Sequence, residues 1–246
     1  MKTEGDIFLG DSDCRYVVAT IKPWNLEAYA RYSDELPGNW SLIESPEALT
    51  LDALRAINPR YIFFPHWSWK VPDAILNEYE CVCFHMADVP YGRGGSPLQN
   101  LIVRGHKDTK LSALRMVADL DAGPVYCKHE MSLAGSAQQI YTEMAKLVYT
   151  QIRWLISNKP KPQPQTGEIV EFVRRKPEQS VMPKNGELAA LYDHIRMLDA
   201  NTYPPAIIQW GQWEIKFNNA NHVGDVIEAS VTISKTPKDG GGNCEE

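Results

Sequence analysis

Across the first 157 residues, runs of β-branched and aromatic residues alternate with helical hydrophobic patterns, and this alternation limits the folds open to the chain. Strands separated by helices cannot pair as hairpins. They lie side by side in parallel, and the helices between them cover the sheet. The fold class expected is α/β: a mostly parallel Rossmann-like sheet with helices on both faces, plus a small C-terminal α+β appendage.

Residues 15–21 (RYVVATI) read as the first strand. KPWN follows as a loop in which Asn25 can cap a helix through LEAYARYSDEL, stopped by Pro37 and Gly38. A strand is expected over residues 40–43, a helix over LTLDALRAI, a buried strand at YIFFP, a short helix at PDAILNEY and a strand at CVCFH. SPLQNLIVRG reads as helix, and LSALRMVADLDAGPVYCKHEMSL as two strands around a DAG turn. SAQQIYTEMAKLVYTQIRWLIS repeats apolar residues at helical spacing and is capped by Ser136.

That helix closes a first domain, residues 1–159, expected to be catalytic. NKPKPQPQTGE carries prolines at alternate positions and predicts an extended linker over 160–167. Residues 168–246 hold a strand (IVEF), a polar loop (VRRKPEQS), a helix (ELAALYDHIRML) and two strands (PAIIQW, QWEIKFNNA), then a GGGNCEE tail whose composition predicts disorder. This small subdomain is expected to line a substrate cleft or a homodimer contact.

Charge and cysteine usage exclude several functions. With 246 residues and a formal net charge of -6 there is no broad positive field, so nucleic acid is disfavoured as a partner while small anionic substrates are not. Cysteines 14, 81, 83, 127 and 244 form no CxxC pair, which fits reduced thiols in a cytoplasmic protein and neither a disulfide framework nor a metal site. MKTEGDIFLGDSD lacks a basic region followed by an apolar stretch, so no secretory leader is expected, and no run approaches the roughly 20 apolar residues of a membrane span.

In open parallel sheets ligands bind at the carboxyl ends of strands. Three strand ends here carry polar residues: KPWN (22–25), HWSWK (66–70) and the HMADVPYGRGG loop that opens at His85. In CVCFH, Cys83 and His85 share one side while Val82 and Phe84 take the other. An acidic DLDAG turn lies downstream.

The order of His85, Pro90, Arg93, Gly94 and Pro97, followed by Asp121 in DLDAG, resembles the formyl-folate-dependent transferases. That family includes methionyl-tRNA formyltransferase and glycinamide ribonucleotide transformylase, with a hallmark Asn-x-His, a Pro and Arg-Gly loop, and an Asp in a turn. VRRKPEQS, LYDHIRMLDANTYPPA, KPWN and FPHWSWKVP are similar to the nucleotide-sugar N-formyltransferases, closest to those of pseudaminic-acid-type pathways.

The resemblance implies transfer of a formyl group from N10-formyltetrahydrofolate to the amine of a nucleotide-linked 4-amino-4,6-dideoxy sugar, with UDP as the expected nucleotide. His85 would donate to the tetrahedral oxyanion, and Asp121 would orient the imidazole and relay the proton leaving the amine. Cys83 stands where the family has Asn, and losing one oxyanion donor costs on the order of 3 kcal/mol. The folate slot would comprise Trp67, Ser68, Trp69, Lys70 and Val71, with Asp119 opposite. The acceptor would meet Arg174 and Arg175 at its diphosphate, Lys22, Trp24 and Asn25 at its nucleotide, and also Arg93 and Tyr192.

Alternatives stay open at this point. Cys83 and His85 could act as a thiol nucleophile and its base. The acceptor could be a carrier-bound aminoacyl group, or the protein could bind folate and nucleotide sugar without catalysis. A tRNA acceptor is disfavoured by the acidity of the chain and the short region past residue 160.

Overall fold

The computed structural model describes residues 13–236. The GGGNCEE tail lies outside the described residues, as does nearly all of the N-terminal stretch read for a leader.

Six strands form one sheet: β1 (Arg15–Ala19), β2 (Asn39–Ile43), β3 (Tyr61–Pro65), β4 (Cys81–His85), β6 (Asp108–Arg115) and β7 (Val125–Ser132). A short strand, β5 (Tyr91–Gly94), lies apart from them. The order is β2-β1-β3-β4-β6-β7; the first four are parallel, and β6 and β7 add antiparallel edges. The crossover helices are α1 (Pro23–Tyr32), α2 (Leu51–Ile57) and α3 (Asp73–Glu78). Because β1 pairs with both β2 and β3, the chain reverses direction across the sheet at β1. Loops leaving the carboxyl ends of β1, β3 and β4 then part around a crevice.

Alternation along each strand divides the core. Tyr16, Val18, Phe63, Val82 and Phe84 face the side covered by α1, α4 (Pro97–Val103) and α5 (Ala137–Asn158). Val17, Ala19, Ile62, Phe64 and Cys81 face α2 and α3. The two-faced covering follows the sequence expectation. Helix α5 opens with a capping box between Ser136 and Gln139 and buries Ile140, Met144, Val148, Ile152 and Leu155 along one stripe. Each such side chain contributes about 1.5–3 kcal/mol of burial. No helix among the described residues is long and apolar enough to cross a membrane.

The structure corrects three details. Lys22, not Asn25, holds the N-cap position of α1; Pro23 starts the helix, so Asn25 falls in its first turn and donates Nδ2–H to the Pro65 carbonyl at 3.2 Å. The glycine-rich loop contains β5, which pairs in parallel with β8 (Val170–Phe172). Beyond α6 (Leu188–Arg196), β9 (Ala206–Trp210) and β10 (Trp213–Val223), the chain adds β11 (Val226–Lys235), an unforeseen strand completing an antiparallel sheet.

The proline-rich stretch is tied to the large sheet. Val125 and Gln163 exchange backbone hydrogen bonds of 2.7 and 2.8 Å. Arg196 of α6 donates to the Leu133 and Gly135 carbonyls at 2.6 and 2.8 Å, locking the C-terminal helix onto the segment before α5.

Candidate active site

A cavity of about 760 Å³ opens above the carboxyl ends of β3 and β4. Its walls are the turn 119–123, the loop 66–71, residues 174–177 and residues 202–204.

His85 ends β4 almost fully buried. Its Nε2 lies 2.7 Å from the Gly92 carbonyl, which can only accept, so Nε2 carries a hydrogen. Nδ1 faces Asp121 Oδ2 at 3.4 Å. The same carboxylate oxygen accepts the Gly94 N–H at 2.9 Å. Asp121 adopts φ 52°, a left-handed conformation to which Asp and Asn are better suited than bulkier residues. Gln165, from the proline-rich stretch, clamps the turn: its Nε2 donates to the Asp121 and Gly123 carbonyls, both at 2.7 Å.

The glycines of the YGRGG run allow the loop to approach residues 172–174. A Cβ on Gly94 (φ 104°) would stand 2.5 Å from the Phe172 carbonyl oxygen, and one on Gly95 would stand 2.5 Å from Arg174 Cβ. Without them, Arg174 could not sit on the same cavity as His85.

Cys83 lines the cavity beneath His85. Burial first, and then the Asp121 charge, push its thiol well above the ordinary cysteine range. A thiol held neutral is a poor nucleophile.

The loop after β3 supplies an aromatic wall. Trp67 packs edge-on against Phe64 and Trp69, with centroids 5.9 and 5.2 Å apart. Its Nε1 is buried with no hydrogen-bond partner among the described residues, a donor left for a bound molecule. Ser68, Lys70, Val71 and Asp119 also line the cavity, Lys70 at the rim with Asp73 3.4 Å away. Apolar walls, an orphaned indole donor and the acceptors of the acidic turn fit a flat heteroaromatic with polar edges.

Part of the cavity is basic. Lys22, Arg174, Arg175 and Lys176 line it, and none is paired with a carboxylate among the described residues. Lys22 donates to Thr202 Oγ1 at 3.1 Å, and burial with the nearby Arg174 lowers its pKa. Burial also lowers that of Arg175, whose Nη2 donates to the Gln179 carbonyl at 2.5 Å.

Four expected ligand contacts lie elsewhere. Trp24 is buried and stacks on Tyr141 at 4.8 Å; Asn25 is buried against Pro65. Arg93 spends its fork on Gln165 Oε1 at 3.0 and 2.8 Å. Tyr192 packs against His222 and Arg196. Apolar bodies and local partners hold all four in structural contacts. His66, Gln165 and Tyr203 were missed as site residues; for His66 the signal was present, since it opens the HWSWK strand end.

Residues 177–234 match the family model for the C-terminal domain of methionyl-tRNA formyltransferase. The solved methionyl-tRNA formyltransferase from Clostridium thermocellum is 40% identical, covers 91% of this chain and 100% of its own, and superposes with a TM-score of 0.88. A methionyl-tRNA formyltransferase of Bacillus thuringiensis (strain Al Hakam) is 32% identical over 162 residues, 61% of this chain and 50% of the relative. A 4-N formyltransferase from Francisella tularensis shares the fold at 14% identity, with a TM-score of 0.62 over 80% of this chain and 93% of its own. The matches span 31% to 62% of the length of the first curated relatives. The Clostridium match extends over nearly the whole chain, and on that match the chain belongs to the formyltransferase family.

Proposed function

We propose that this protein moves the formyl group of N10-formyltetrahydrofolate to the amine of a nucleotide-linked amino sugar, a UDP-linked 4-amino-4,6-dideoxy sugar. The observation that carries this reading is the unpaired basic wall of Lys22, Arg174, Arg175 and Lys176 on the cavity that also holds His85 and Asp121. Guanidinium forks suit a diphosphate, and remote anchoring of the nucleotide converts attack by the amine into a local event.

Folate supplies the formyl group when bound, and Trp67, Val71 and the 119–121 turn would hold its ring. His85 and Asp121 manage the proton. With Nε2–H fixed on Gly92, Nδ1 is the atom that takes up and returns the amine proton, and the carboxylate at 3.4 Å stabilises the imidazolium so formed. Protonated Nδ1 also offers a donor toward negative charge developing in the cavity.

Methionyl-tRNA is the second reading, favoured by the match over residues 177–234. Against it, that segment carries seven acidic residues and three lysines or arginines, a poor surface for a polyanion. Incubation with formyl-folate and either UDP-linked amino sugars or charged initiator tRNA, read by mass, tests the choice. A mass gain of one formyl group on the sugar alone is expected; formylated tRNA without formylated sugar reverses the assignment.

A further inference from the structure

His66 takes no part in the chemistry above, yet its position is costly. It follows β3 at φ 52°, a left-handed backbone that costs a non-glycine residue on the order of 1 kcal/mol. The ring is held by Trp24 and Tyr141, with centroids 5.3 and 5.0 Å away. Neither ring nitrogen is hydrogen-bonded among the described residues, and the side chain lines the cavity.

The charges acting on it are cationic. Lys22 approaches from the β1–α1 turn and Arg174 from the segment after β8, while Tyr141 of α5 is neutral. Burial, with those two cations beside it, holds the imidazole uncharged, at about 3. Two cations and an unpartnered imidazole on one cavity wall repel protons and attract anions.

We propose that Lys22, His66 and Arg174 form a proton-coupled anion subsite that takes a phosphate group of the acceptor, and that filling it draws one proton from solvent onto His66. A dianion between Lys22 and Arg174 cancels the repulsion each exerts on the imidazole and adds an acceptor for its N–H, so the charged form gains. The anion's identity as an acceptor phosphate rests on the function proposed above; the existence of the subsite does not. Acceptor binding would then tighten as pH falls.

Sulfate is the probe, because it stays a dianion between pH 5.5 and 7.5 and any pH dependence belongs to the protein. The measurement is made on the full chain without folate or sugar, against chloride at equal ionic strength. Ring ¹³C–¹H signals, assigned with His66→Asn, should show His66 moving toward the imidazolium position as sulfate saturates. The sulfate Kd should tighten roughly ten- to a hundredfold from pH 7.5 to 5.5, the upper figure being the limit when the bound protein holds one more proton over the whole span. His66→Asn, whose side chain accepts the left-handed backbone, should bind equally at both pH values, and Lys22→Met should lose binding at both. Calorimetry of the unmodified protein in two buffers of different ionisation enthalpy should show proton uptake, independent of how the variants fold. An unmoved His66 signal at saturation, or binding without proton uptake, overturns the subsite and leaves formyl transfer untouched. A normal sulfate response in a protein that formylates no amine removes the transfer reading instead.

Discussion

His85 Nδ1 stands 3.4 Å from Asp121 Oδ2 while its Nε2 is committed to the Gly92 carbonyl at 2.7 Å. One ring nitrogen is therefore fixed by the backbone, and the other faces the carboxylate. Gly94 N–H holds the carboxylate oxygen from the far side, so the pair is set by the glycine-rich loop as much as by its own contact.

His85→Asn and Asp121→Asn should each lower kcat by about 100-fold or more, and the double variant should be little worse, as for residues acting as a unit. Asp121→Asn is the sharper variant: it keeps an oxygen for Gly94 and tolerates φ 52°, so only the charge is lost. Steady-state kinetics with formyl-folate and saturating amine decide the matter; losses that multiply would show the two acting separately.

Cys83 should prove dispensable as a nucleophile. Burial and Asp121 keep the thiol neutral, so iodoacetamide at neutral pH should leave Cys83 unmodified in peptide mass spectra, and Cys83→Ala should stay within about tenfold of normal turnover. Cys83→Asn would supply the amide that the resemblance places here, and a rise in kcat of about tenfold is expected from a second donor. A trapped thioester of the formyl group would defeat this account.

Gln165 joins the proline-rich stretch to the 119–123 turn, accepting from Arg93 while donating to the Asp121 and Gly123 carbonyls. Gln165→Ala leaves those carbonyls and a guanidinium short of partners and should cost about 1–3 kcal/mol, seen as a lower Tm, with kcat falling further than KM changes. Gly123→Ala should be worse, since its Cβ would fall 1.7 Å from the Arg115 carbonyl oxygen. An unchanged Tm in both variants would show that the turn holds itself.

The sheet was legible because its alternation is a property of local sequence, and the strand-end rule led from CVCFH and HWSWK to the cavity. What stayed hidden was contact between distant segments. Nothing local marks β5 and β8 as partners, since 75 residues separate Gly94 from Val170 and the glycines that permit their approach also read as an ordinary loop. Trp24 and Arg93 were drawn toward ligands by residue type, although Tyr141 and Gln165 had already claimed them. β11 was missed because polar residues interrupt VIEASVTISK on a sheet with much exposed surface.

Acid stability should carry a mark of His66. Its folded pKa, about 3, lies below the unfolded value near 6.5, so above pH 6.5 both states are neutral there and nothing is gained or lost. As pH falls from 6.5 toward 3 the unfolded chain takes up a proton that the folded chain refuses, and stability declines. His66→Asn should flatten part of the drop in Tm between pH 6.5 and 4.5, measured without sulfate or phosphate. An identical slope in the variant would mean the imidazole titrates normally in the fold.

The acceptor prediction follows from the charge on the cavity wall. Arg174→Ala removes a fork that no carboxylate neutralises among the described residues, so KM for a UDP-linked amino sugar should rise by about tenfold or more. Folate affinity should stay within about twofold, because the aromatic loop and acidic turn that would hold it do not include Arg174. The free amino sugar should lose turnover as well as affinity, since on the proposed reading anchoring the nucleotide brings the amine to His85. Initial rates for sugar nucleotide and free sugar, with the original and Arg174→Ala proteins, measure all of this at once. Equal kcat on the two acceptors would mean that the basic wall does not position the amine, and the nucleotide would drop out of the assignment.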